Sequence, residues 1–182
     1  MTPNSSKAAL AAAAMVLAST FPASAHAYPA ATAQQKIASV RYLIGTWKCA
    51  HTVGTFSGTY TTTWESVLGN RWLKETYDFP PGQIAADKTP VRAEYFVGYD
   101  ARRQGWVRFG AMSNGDYFAI RMTDNGGGWS WKYVTFFMRR KPETPAADAT
   151  FTKKSNSEYA VDGPSYVQNG TQVTEHHICR KP

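Results

Sequence analysis

Apolar and polar residues alternate along most of this chain, and one stretch departs from that two-residue rhythm. Within residues 30–43, Ile37, Val40 and Leu43/Ile44 recur at spacings of three and four, so they share one face of a helix. Gly45 is suited to end that helix. After Trp47 the period becomes two. Strands are predicted over 47–53, 59–65, 71–79, 91–99, 104–112, 116–123 and 129–138, then over the shorter segments 150–154, 158–161 and 171–180. The segment 91–99 shows the pattern best. Val91, Ala93, Tyr95, Val97 and Tyr99 take one face; Arg92 and Glu94 take the other, with Phe96 as the exception. Gly54, Gly58, Gly69-Asn70, Ser113-Asn114-Gly115 and Asn125-Gly126-Gly127-Gly128 mark turns between them. Two Pro-rich stretches, 80–90 and 141–148, read as longer loops and as the rim of one end.

About ten short strands joined by tight turns, with no second helical block, predict an all-β fold. An antiparallel up-and-down barrel with a short N-terminal helix capping one end fits best; a sandwich is the alternative. The two cysteines sharpen the choice. Cys49 lies in the first predicted strand and Cys179 in the last. A bond between them makes those strands neighbours and closes the sheet.

The first 27 residues have the form of a secretory signal, with Lys7, an apolar run over 8–18 and Ala25-His26-Ala27 as an A-x-A cleavage site. Cleavage there removes 27 of 182 residues and leaves one domain of 155, spanning 28–182. No run is long enough to span a bilayer as a helix. Export to a periplasmic or extracellular compartment agrees with one disulfide. The formal charge of +7 falls to +6 with the loss of Lys7. The basic residues are scattered, and export removes nucleic acid from reach, so the charge reads as solubility rather than as a nucleic-acid surface.

Gly45-Thr46-Trp47 after a short helix resembles the Gly-x-Trp signature of lipocalin-like (calycin) barrels. In that family the tryptophan lies at the closed base, and a basic residue from the last strand packs over it; Arg180 holds the matching position. Glu65 followed by Leu68-Gly69-Asn70-Arg71-Trp72-Leu73 is similar to the second hairpin of small exported barrels related to nitrobindin. The resemblance covers most of the mature chain in pattern. It implies a barrel of eight to ten strands with an apolar cavity and no particular ligand.

Three histidines lie beyond the cleavage site, each close in sequence to a cysteine. If Cys49 faces Cys179 in an antiparallel pair, His51 faces His177 and Val53 faces Glu175. With Trp47 pointing inward, as the resemblance implies, Cys49, His51 and His177 point inward too, and His176 and Ile178 point out. Nitrobindin-like relatives hold haem through a histidine of the last strand, for which His177 or His176 is the counterpart here. That reading stands beside a polar histidine pair with no cofactor. A zinc site lacks a third and fourth ligand at suitable spacing. Trp64, Tyr95, Tyr99, Phe118, Trp129, Trp131 and Tyr133 fall on inward faces, where they either wall a cavity for a flat ligand or fill the barrel themselves. No nucleophile elbow, metalloprotease motif, paired carboxylates or phosphate loop is present. The predicted role is therefore non-catalytic binding of a small hydrophobic or aromatic molecule. A haem barrel acting on reactive nitrogen species and a filled, structural or partner-binding envelope barrel are the alternatives.

Overall fold

The computed structural model describes residues 30–83, 88–125, 128–138, 141–142, 149–168 and 171–182. Residues 1–29, Tyr133's side chain and the middle of both Pro-rich stretches lie outside what is described. The elements run α1 (Ala30–Ser39), a 3₁₀ turn (Arg41–Leu43), β1 (Gly45–Val53), β2 (Phe56–Val67), β3 (Trp72–Phe79), β4 (Val91–Asp100), β5 (Gly105–Met112), β6 (Tyr117–Asp124), β7 (Gly128–Met138), β8 (Lys141–Pro142), β9 (Ala149–Lys153), β10 (Glu158–Gln168) and β11 (Thr171–Arg180). Every ladder is antiparallel. β1 to β6 pair in chain order, β1 also pairs β11, and the ring continues through β10 and β9 to β7. Pairing of β6 with β7 closes a barrel of ten strands, so no long strand edge is left open.

The register at the seam follows from the cysteines. Cys49 faces Cys179 and is bonded to it; His51 faces His177 and Val53 faces Glu175. Along β1, Trp47, Cys49 and His51 are buried while the residues between them are exposed. On β11, His176 and Ile178 face out.

Several strand boundaries differ from the predicted ones: β2 begins at Phe56, so Gly58, expected in a turn, lies within the strand paired with His51. β10 runs on to Gln168, past Gly163-Pro164, where a register shift between Asp162 and Ser165 absorbs the proline. Gly163 takes a φ of 91°, open to a residue without a Cβ, and the bulge lets the ladder resume beyond it. Lys141–Pro142, expected in a loop, forms two pairs with the end of β7. Proline is tolerated at such a sheet margin because its missing N–H is not needed by a further strand. Phe96, the exception to alternation in β4, lies on the outer surface, stacked with Phe109 at 5.8 Å.

The helix closes the end of the barrel where β1 begins. Ile37, Val40 and Leu43 are buried there above Trp47. Trp47 Nε1–H donates to the Leu43 carbonyl at 2.6 Å, and its ring meets Tyr159 edge-on at 4.8 Å. The cation over Trp47 is Lys181, not Arg180. Lys181 Nζ stands 4.9 Å from the ring centroid and donates to the carbonyls of Tyr42 and Ile44 at 2.8 and 3.1 Å. Arg180 points outward to Glu158, 2.7 Å away. Alternation is the reason: Cys179 faces the core, so its neighbour Arg180 must face out and Lys181 turns back in. The β1–β2 and β5–β6 connections lie at the opposite end.

Candidate ligand cavity

Above the closed base, the barrel holds a partly open cavity of about 130 Å³. Of the inward aromatics expected from the sequence, Trp64, Tyr95, Phe118, Trp129 and Trp131 line it, and so does His177. His51 and Tyr99 do not. Tyr99 sits at the closed end, edge-on to Trp106 at 5.5 Å. His51 is buried but lies aside from the void, packed among Phe56, Tyr60 and Phe79. Gly58, paired with His51 across β1–β2, leaves room for that ring; a Cβ there would also come within 2.9 Å of the Gln83 carbonyl.

The centre of the cavity is a charge pair. Arg108 and Glu75 are 8% and 2% exposed. Arg108 donates from Nε and Nη2 to Glu75 Oε2, at 3.0 and 2.7 Å, and from Nη2 to the Tyr77 hydroxyl at 3.1 Å. No hydrogen bond from Nη1 is found among the described residues. The guanidinium lies 4.3 Å from the Tyr95 ring centroid and 4.9 Å from that of Phe118, close enough for cation–π attraction. The sheet sets this up locally. Glu75 pairs with Tyr95 across β3–β4, and Tyr95 pairs with Gly110 across β4–β5. A Cβ on Gly110 would collide with the Tyr95 ring and backbone, so glycine there lets the ring lie beside Arg108.

Burial pushes Glu75 above its ordinary carboxyl value, against the pull of Arg108. Arg108 stays charged, held so by Glu75. Burial also drives the Tyr60 and Tyr77 hydroxyls well above their usual range, so both remain protonated donors. Trp131, 7% exposed, carries an indole Nε1–H with no hydrogen-bond partner among the described residues.

Towards the far end the two histidines lie with ring centroids 5.5 Å apart. His51 Nε2–H donates to the Gln83 carbonyl at 2.7 Å, which ties the β3–β4 connection to the seam. His177 Nε2–H donates to Glu175 Oε2 at 3.3 Å, so its Nδ1 accepts from the Tyr60 hydroxyl at 3.0 Å. Both nitrogens of His177 are thus occupied. His176 faces out and pairs with Asp162. Among the described residues no cluster of three metal-ligating side chains occurs.

Arg108, Glu75, Tyr60 and Tyr77 are polar lining residues that the sequence pattern did not single out. Their signal was present. Arg108 alternates with Trp106 and Met112, and Glu75 with Leu73, Tyr77 and Phe79, so each strand carries one charge on its apolar face. No family model matches the chain, and no curated protein does.

Proposed function

We propose that this barrel is a non-catalytic binder of one small aromatic or apolar molecule, taken into the cavity above the closed base. The observation that carries the reading is the unfilled volume of about 130 Å³ inside an aromatic wall. A dry cavity of roughly 150 Å³ is enough to take up benzene. The reading includes kinship with lipocalin-like barrels. It is supported by ring closure, by Gly45-Thr46-Trp47 at the base and by a cation over Trp47. It also takes the protein as exported, supported by the leader pattern of residues 1–27 and by the disulfide.

The test is titration of the purified mature protein with benzene. Trp64, Trp129 and Trp131 line the void and report occupancy by fluorescence. Saturable quenching is expected, with a rise in melting temperature. At a hundredfold excess over Kd the linked stabilisation is about 2.7 kcal/mol. A linear signal with an unmoved melting temperature rejects the reading.

A further inference from the structure

We infer that the cavity selects a neutral, single-ring molecule bearing a carbonyl-type acceptor, which Arg108 receives through Nη1, a donor with no hydrogen-bond partner among the described residues. This rests on the binding reading above and narrows its ligand class.

Size sets the first limit. About 130 Å³ matches one six-membered ring with a small substituent. Polarity sets the second. A purely apolar guest would leave the Nη1 hydrogens of a buried guanidinium facing it without an acceptor, and an unmet charged donor is costly. Trp131 adds an indole N–H without a partner among the described residues in the same wall. Donors in this wall that lack a partner among the described residues call for an acceptor on the ligand.

Charge sets the third. Arg108 already serves Glu75 at 2.7 Å. The lining also contains the carboxyl groups of Asp116 and Glu175, and Arg108 is its one guanidinium or ammonium group among the described residues. An anionic ligand would bring a further negative charge to a lining that, among the described residues, holds three carboxyl groups and one guanidinium. Burying it there carries a desolvation cost with no second cation to offset it. A carbonyl oxygen accepts from Arg108 without that cost.

Benzamide, benzoate and toluene separate these terms, being one ring each and differing in acceptor and charge. Calorimetric titration of the mature protein at neutral pH is expected to rank benzamide at least about tenfold tighter than either of the others. Benzoate binding as tightly as benzamide overturns the neutral-ligand inference, and toluene doing so overturns the acceptor; either result leaves the cavity reading intact. No uptake of any of the three overturns both. Arg108→Met alone strands Glu75, so the pair is replaced together as Glu75→Leu with Arg108→Met, a change a fold often tolerates. In that variant the preference for benzamide over toluene should collapse to near parity. A preference of undiminished size would show that Arg108 does not receive the acceptor.

Discussion

Arg108 and Glu75 give the cavity its polarity at an energetic cost. Two charges leave water, and their mutual attraction repays that only with help from Tyr77 and the flanking rings. Such a pair is weak evidence of stabilisation and better evidence of a site with a chemical preference. His51 carries a second consequence at this scale. Burial, and next the neighbouring His177, hold it below its ordinary value of 6.5. As pH falls through 6.5 the unfolded chain takes up the proton before the folded one does. The stability this residue contributes is complete above that value and is lost progressively below it. Urea unfolding between pH 7 and 5 should therefore show a decline that His51→Asn flattens. A variant with the parent's slope would assign the decline to other groups. From the sequence, His51 and His177 were legible as an inward pair because the cysteines set their register. That His51 lies beside the void rather than on it was not legible, since it depends on where Tyr60 and Phe79 put their rings.

At the scale of elements, the base of the barrel shows how a strand's last residues become structural. Lys181 reaches back under Trp47 to two carbonyls of the helix-to-β1 connection, which otherwise have no strand to pair with. Lys181→Met should cost about 1.5–3 kcal/mol, the range for hydrogen bonds to a charged donor. Arg180→Met, which removes only an exposed pair with Glu158, should cost less than about 0.5 kcal/mol. Equal losses in denaturant titration would put the two residues on a par and undo the assignment. Alternation from Cys179 already contained this answer, because a residue next to an inward cysteine faces out. Strand positions were legible throughout, as period two is strong where one face is buried. The length of β10 was not, because Gly163-Pro164 reads locally as a stop and only the neighbouring strands carry the ladder across it.

For the whole molecule, one covalent bond joins the two ends of the barrel wall. Cys49 and Cys179 lie 130 residues apart, so the bond removes a large share of the unfolded chain's freedom. Replacing both with alanine should lower stability by about 4–5 kcal/mol in the chain-entropy account, with the ring of strands retained. An unchanged denaturation midpoint would show the bond contributing nothing. Ring closure itself could be foreseen, because cysteines in the first and last strands require those strands to meet. What the sequence by itself determined is the all-β class, the helix at the base, the seam register and the inward aromatic faces. Each follows from spacing along the chain, where a period of two or a pair of cysteines leaves few solutions. What only the tertiary structure decided is the void and its chemistry. Arg108 and Glu75 stand on strands separated by β4, and their pairing depends on a glycine opposite Tyr95. Whether rings from ten strands meet or leave a gap depends on packing in three dimensions, which no periodicity along one strand encodes.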